Sequence, residues 1–404
     1  MKKKILFLAP ASIPTNGAEH IVNTKLLEAL SIDGNFEIDL ISKKNKWENY
    51  PSTSTFNDKI KLNSINIIEV DNKFNITTIW QHFLALLYFG VVFKGAHWAV
   101  KALPIAKQLI ANNQYDYILT KNAPSLLLGY YLKKKYKLKW VATWNDPYPV
   151  SKYPHPYGLG IKGKESLSDK LQINIMKKWV DIHIFPSTRL RNYMNNYLNI
   201  PLYKTQIIPH VILANKIRRN NLCSESTLRF IHSGNLKYPR DPQTFIEGVS
   251  KFRSKYPNKK IEISIIGVYD KNFNELINKY KLQDTIKLIE PTSYENSLEL
   301  LSQYHVSIII EAQCEEGIFL PTKVSDFMQC GKYIYAISPK QGVLNDLYKA
   351  NYISYYSPNT DSILIAEEIN RIYEDFKSGE LISRKAPIYD KYNSSYIVEQ
   401  YKSI

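Results

Sequence analysis

The stretch from Val306 to Gly342 limits the fold more than any other. Val306–Ile310 is apolar and β-branched, which suits a strand buried on both faces of a parallel sheet. Glu316-Gly317 breaks that pattern, and Leu320-Pro321-Thr322 leads into a helix with Val324, Phe327 and Met328 on its buried side. Gly331 ends the helix, because glycine takes a left-handed cap without strain, and Tyr333–Ile337 is the next strand. A loop-to-helix start at the carboxyl end of a parallel strand offers free N–H groups and the positive end of a helix dipole. That suits a diphosphate. Lys323 adds a mobile positive charge there, and Asp326, about one turn on, is placed to accept hydrogen bonds from a ribose diol. An ordinary βαβ unit with surface charges satisfies the same spacing, so the residues alone leave both readings open.

The same alternation runs through the chain twice. Ile5–Leu8, Phe36–Ser42, Ile65–Val70, Tyr115–Thr120, Trp140–Thr143 and Ile182–Phe185 read as strands, and the first helix carries Val22, Leu26, Ala29 and Leu30 on one face. Gln206–Val211 closes this series. The polar segment Leu213–Thr227 follows, and a second series opens with Arg229–His232 and continues through Ile261–Ile266 and Thr285–Ile289. Two alternating series argue for two Rossmann-like domains. The expected boundaries are 1–212 for the first, 213–227 for a linker, 228–386 for the second and 387–404 for a final helix. A chain of 404 residues fits two or three domains, and 44% hydrophobic with 22% charged residues is globular rather than disordered. Cys223, Cys314 and Cys330 have neither metal spacing nor disulfide arithmetic, which suits a reducing cytoplasm. The start MKKKILFLAP reads as a first strand rather than a signal peptide, and no segment reaches the ~18 apolar residues of a membrane span.

Glu316-Gly317-Ile318-Phe319-Leu320-Pro321, followed by Asp326 and Gly331, resembles the donor-binding signature of family 4 glycosyltransferases. Pro321-Thr322-Lys323-Val324-Ser325-Asp326-Phe327 is similar to the form Pro-Ser-Lys-x-x-Glu/Asp-Tyr used by a bacterial subgroup. The chain departs from the family in three places. Glu316 and Asp326 lie ten residues apart, further than the family's two acids; Asp stands for the second Glu; and Tyr333 replaces a proline. The resemblance implies an α/β fold of the GT-B class: two Rossmann-like domains facing each other across a cleft, with the C-terminal helix crossing back to the N-terminal domain. It implies transfer of a sugar from a nucleotide-diphosphate donor to a saccharide or polyprenyl-linked acceptor, with retention, in bacterial surface polysaccharide biosynthesis (capsule, O-antigen or exopolysaccharide). Glu316 would then contact the sugar's hydroxyls, and Leu320, Pro321, Thr322, Lys323 and Asp326 would line the donor.

Three further stretches carry the resemblance. Ser233-Gly234-Asn235-Leu236-Lys237 resembles the family's Gly-Arg-Leu…Lys loop, with Asn235 in place of the arginine. Lys237 and Arg240 sit where that loop meets a helix capped by Asp241 with Pro242 first. They neutralise a leaving diphosphate or form a surface charge pair; Arg240 is the stronger candidate, since a guanidinium holds a phosphate bidentately. Gly17-Ala18-Glu19 resembles the end of a Gly-Gly-Ala-Glu loop, where Gly17 either lets acceptor or sugar approach the backbone or makes a plain turn. Trp144-Asn145-Asp146-Pro147-Tyr148 resembles the subgroup's Asp-Pro-Trp loop. Asn145 and Asp146 stand where many such enzymes carry a histidine at the transferred sugar. Asp146 holds a sugar or acceptor hydroxyl, or is a turn-forming Asp before Pro. The loop Pro147–Gly163 is long enough for a lid or acceptor loop, and its His155 is either a surface residue or a ligand.

A formal charge of +16, from 53 basic and 37 acidic residues, favours anionic partners. Phe74–Ile110 combines Trp80, Phe83, Leu84, Leu87, Tyr88, Val91, Val92 and Trp98 with Lys94, His97, Lys101 and Lys107. It reads as an element lying on an anionic membrane, or as a pair of core helices. A cytoplasmic protein follows, on the inner face of the plasma membrane in the first case. The chain has no Asp-x-Asp and no His/Cys cluster, so no metal or other cofactor is expected; the nucleotide-sugar is a substrate. Leaving-group charge then falls to Lys323, Arg240, Lys237 and open amides. Two rivals stand beside this reading. One is a nucleotide-sugar epimerase or phosphorylase on the same fold. The other is a non-catalytic polyanion or nucleic-acid binder, which the lack of an aromatic-interleaved basic motif disfavours.

Overall fold

The structure is a computed structural model that describes residues 2–13, 17–44, 60–70, 76–92, 95–121, 123–213, 226–270, 272–383, 387 and 389–404. They form two compact units: Met1–Val211 with Ser394–Ile404, and Ile212–Asn393.

In the first unit β1 (Lys3–Leu8) leads to α1 (Ala18–Asp33), β2 (Phe36–Lys43), β3 (Ser64–Ile68), α2 (Ile76–Phe89) and α3 (Ala96–Asn112). The chain continues through β4 (Tyr117–Lys121), α4 (Leu126–Tyr136), β5 (Trp140–Thr143), α5 (Leu167–Trp179), β6 (Ile182–Phe185), α6 (Thr188–Leu198) and β7 (Thr205–Ile207). The sheet runs β3-β2-β1-β4-β5-β6-β7, and every pairing is parallel. Ile5–Leu8 are wholly buried, which is why the strand is a continuous apolar run and not an alternating one. The chain winds outward from β1, then returns to lay β4 on its other side. That reversal is a topological switch point, where loops diverge and leave a crevice at the carboxyl ends of the strands.

The second unit repeats the scheme with β8 (Leu228–Ser233), α7 (Gln243–Lys255), β9 (Ile261–Ile266), α8 (Asn272–Lys279), β10 (Ile286–Ile289) and α9 (Tyr294–Ser302). After these come β11 (Val306–Ile310), α10 (Lys323–Gln329), β12 (Tyr333–Ser338), α11 (Val343–Lys349), β13 (Tyr355–Pro358), α12 (Ser362–Lys377) and α13 (Glu380–Ser383). Its parallel sheet runs β10-β9-β8-β11-β12-β13, with the switch point between β8 and β11. Helices cover both faces. Phe230, Ile263, Ile308 and Tyr335 pack with residues of α7 and α12, while Ile231, Ile309, Ile334 and Ala336 pack with those of α10 and α11.

The last helix, α14 (Ser394–Lys402), belongs to the first unit. Tyr401 is buried there, the Tyr117 hydroxyl donates to its carbonyl at 3.4 Å, and Lys402 pairs with Asp33 at 3.2 Å. The preceding turn stays with the second unit: Ile212 N–H donates to Tyr392 O at 2.7 Å, and Tyr389 stacks on Tyr352 at 4.0 Å. Most of the expected linker 213–227 lies outside the described residues. One helix start falls a residue later than the capping pattern predicts. α7 begins after Pro242, although the Asp241 carboxylate still accepts from Gln243 N–H at 2.9 Å. α10 begins at Lys323, and Gly331 beyond it has φ 62°. The run Phe74–Ile110 divides: α3 is a core helix with Trp98 and Leu103 buried, whereas α2 turns a long apolar face to solvent.

Candidate functional site

The second switch point gathers charge around two glycine loops. Gly234 follows β8 with φ +134°, a region closed to side chains, and a Cβ built on it would lie 1.9 Å from Lys323 Nζ. The ammonium at the start of α10 therefore rests directly on the Gly234 backbone, in space that glycine leaves open. Gly267 after β9 packs behind it. On the other side Gly317 and Gly342 lie backbone to backbone: Gly317 N–H donates to Gln341 O and Val343 N–H donates to Gly317 O, both at 2.8 Å. A Cβ on Gly317 would stand 3.2 Å from Glu311 Oε2. Glu311 is the first residue beyond β11 and is 5% exposed. Its carbonyl is fixed by Asn359 Nδ2 at 3.0 Å.

The electrostatics of this cluster are out of balance. Burial, and then the Arg240 guanidinium, pull the Lys323 ammonium down to about 7, with Asp326 and Glu311 acting the other way. Burial pushes the Glu311 carboxyl up to about 7 against the opposing pull of Arg240 and Lys323. His232, buried in β8 with Nδ1 3.1 Å from Ile308 O, is held well below its ordinary range by burial and then by Lys323. The imidazole is therefore neutral near pH 7 and adds no charge. At neutral pH the Arg240 guanidinium thus shares the site with a Lys323 ammonium and a Glu311 carboxyl that are each only part-ionised. An entering anion would favour the charged ammonium.

The first switch point is built differently. Asn145 Nδ2 donates to Glu19 Oε1 at 2.7 Å, and Asn23 Nδ2 reaches the same oxygen at 3.2 Å. Lys121, the last residue of β4, is 5% exposed and lines a small cavity with Thr143, Asn145, His210 and Tyr401. Burial pulls its ammonium down to about 8, and the Glu19 charge opposes that shift. Asp146 is exposed and hydrogen-bonds Tyr153, whose hydroxyl is pushed upward by burial and then by that carboxylate. Gly17 is extended, with φ −170°, a conformation any residue adopts.

The structure brings Gly234, Lys323 and Arg240 into one cluster at the second switch point, with Asp326 part of the same field. One Asp326 oxygen is already engaged by the Tyr294 hydroxyl at 2.6 Å. Glu316 precedes Gly317 and is half-buried; its carbonyl accepts from Cys314 Sγ at 3.3 Å. Leu320 is buried, Pro321 and Thr322 lead into α10, and Lys237 stands exposed. In the first unit Asn145 joins the Glu19 network, Gly17 lies at the head of α1, and His155 is exposed in a turn. Sequence reasoning passed over Glu311, Glu19 and Lys121. Each immediately follows or ends a strand, or opens the helix after one, next to a switch point. That signal exists only once strand order is known. Among the described residues no group of three or more His, Cys, Asp and Glu could hold a metal ion.

No family model matches the chain. A curated relative, an uncharacterized glycosyltransferase of Methanocaldococcus jannaschii, is 24% identical over 217 residues. The match covers 50% of each, so the chain aligns with about half the length of that relative. Among solved structures, sucrose-phosphate synthase from Thermosynechococcus elongatus aligns with 100% of this chain and 98% of its own, at TM-score 0.67 and 16% identity. S. aureus TarM, in complex with fondaparinux, alpha-GlcNAc-glycerol and UDP, aligns with 100% of this chain and 99% of its own, at TM-score 0.63 and 12% identity. These likenesses establish the fold as GT-B, with two parallel-sheet Rossmann-like units.

Proposed function

We propose that this chain is a glycosyltransferase of the family 4 type. It moves a sugar from a nucleotide-diphosphate donor to a saccharide or lipid-linked saccharide acceptor, in bacterial surface polysaccharide biosynthesis. The observation that carries this reading is the Lys323 ammonium seated on Gly234 with Arg240 as its charged neighbour, at the β8/β11 switch point. A diphosphate placed there meets the Lys323 ammonium and the Arg240 guanidinium beside the Gly234 backbone. Charge that grows on the leaving diphosphate as the sugar–phosphate bond breaks is met by groups already in position. The proposed mechanism is metal-independent, since Lys323 and Arg240 take the part a divalent ion would otherwise play, and it retains anomeric configuration. Glu316 is assigned to the sugar's hydroxyls, and Asn145 and Asp146 to the acceptor side. A lipid-linked acceptor would bring the chain to the inner face of the plasma membrane.

Calorimetric titration with UDP-, GDP-, CMP- and dTDP-sugars, followed by transfer assays on saccharide and polyprenyl-linked acceptors, tests the reading. The expected result is micromolar binding of one donor class, transfer that survives EDTA, and a product with the donor's anomeric configuration by NMR. Free sugar or an altered donor formed without acceptor would point to the epimerase or phosphorylase chemistry that the same fold supports. Steeply salt-dependent oligonucleotide binding with no donor binding would overturn the enzyme reading altogether.

A further inference from the structure

The described residues of the first unit carry an exposed apolar surface on α2. On α2, Ile76, Ile79, Trp80, Phe83, Leu86 and Leu87 are between 52% and 84% exposed. Their spacing puts them on one continuous face of the helix. The sequence of α2, ITTIWQHFLALLYF, contains no Lys, Arg, Asp or Glu. Its inner side is fixed to the domain: His82 and His97 of α3 meet at 2.9 Å, and Phe89 packs edge-on against Tyr131 of α4 at 5.8 Å. The outer face is therefore held in place, not merely frayed. Fourteen residues make a helix about 21 Å long, too short to span a bilayer but long enough to lie flat in its interface.

The charge around this face selects its partner. Lys107 stands over both Tyr88 of α2 and Tyr131, at 5.4 and 5.5 Å, and Lys135 stands over Tyr131 at 5.8 Å. Cations thus border the carboxyl end of the apolar strip, with aromatic rings between them, in a chain of net charge +16. A second copy docking through the same face would bury the apolar strip but offer these lysines no anionic partner. A sheet of anionic headgroups over a hydrocarbon layer matches both parts. We propose that α2 docks the first unit on an anionic phospholipid bilayer, with Trp80, Phe83 and Leu87 in the acyl boundary and Lys107 and Lys135 at the headgroups. This names a partner for the lipid-linked acceptor reading, but its support is independent of the donor site.

The test is co-sedimentation of the full chain with vesicles of phosphatidylglycerol and phosphatidylcholine, or of phosphatidylcholine alone. The unmodified chain should partition onto the anionic vesicles. Phe83→Glu with Leu87→Glu should cut that partition by at least about tenfold. Lys107→Ala with Lys135→Ala should cut it by about fivefold per lysine on anionic vesicles and leave neutral ones unchanged. A second readout is fluorescence: brominated lipids should quench part of the tryptophan emission of the unmodified chain, and Trp80→Phe should remove the quenched part. No sedimentation of the unmodified chain overturns the proposal. So does unquenched fluorescence, or a dimer that the Phe83/Leu87 substitutions dissolve. Nucleotide titration of the α2 variants should be unchanged, so failure here and failure of the donor site are separately visible.

Discussion

The crevices at β1/β4 and at β8/β11 occupy equivalent points in two parallel sheets, yet their charges are arranged in opposite ways. In the first, one ammonium, Lys121, faces one carboxylate, Glu19, and Asn145 and Asn23 hold that carboxylate in place. In the second, Arg240 disfavours the charged form of Lys323, and burial drives the Glu311 carboxyl toward its neutral form. A balanced pair is complete without a ligand, whereas Arg240 and a part-ionised Lys323, opposed by Asp326 and a part-ionised Glu311, gain from an added anion. On the proposed reading, the contrast would suit one crevice to uncharged hydroxyls and the other to a diphosphate. It also says where substitutions should hurt nucleotide binding and where they should not.

The largest effect expected is that of Lys323→Ala on nucleotide affinity. A charge-assisted hydrogen bond is worth about 1.5–3 kcal/mol, so Kd for the nucleoside diphosphate should rise by about 10- to 100-fold. Its counterpart Lys121→Ala should leave that Kd within about twofold. Calorimetry on both variants decides the point, and equal losses would dissolve the contrast between the crevices. Backbone demands come next. Gly234→Ala forces a side chain into φ +134° against the Lys323 ammonium and should cost about 1–3 kcal/mol in urea unfolding, with weaker nucleotide binding. Gly17→Ala meets only His20 Nδ1 at 3.4 Å from an extended backbone and should stay within about 0.5 kcal/mol.

Most strands of both sheets were legible because burial on two faces demands unbroken apolar runs, as at Ile5–Leu8 and Val306–Ile310, but the short edge strand β13 was not. Gly331 marked a helix end for a local reason, a left-handed cap. The position of Lys323 was legible too, because a loop-to-helix start is local in sequence. Glu311 was not. Its neighbours Gly317, Lys323 and Arg240 meet it only through strand order, and a single acid after an apolar run looks like any surface residue. The same holds for Lys121 and Glu19, which come together only because β4 returns to lie beside β1. The split between a buried α3 and an exposed α2 was likewise hidden, since both are apolar helices of similar periodicity.

The finest distinction between the crevices is in their protons. Lys323 in the free chain titrates at about 7, and a bound diphosphate would raise that value. Between the free and bound values the complex holds one more proton than the free chain, so affinity must fall as pH rises above about 7, by up to about tenfold per unit. Glu311, pushed up to about 7, responds with the same sign, because an added anion favours its neutral form. Glu311→Gln removes that second linked proton and leaves the first. At pH 6, where the Glu311 carboxyl is already mostly protonated, the variant should bind nucleotide about as well as the unmodified chain. At pH 8 it should bind several-fold more tightly, with a shallower pH profile. Calorimetry in buffers of different ionisation enthalpy counts the protons taken up. If Glu311→Gln weakens binding equally at both pH values, the carboxyl supports the cations as an ordinary counter-ion, and the second crevice would be balanced in the way the first one is.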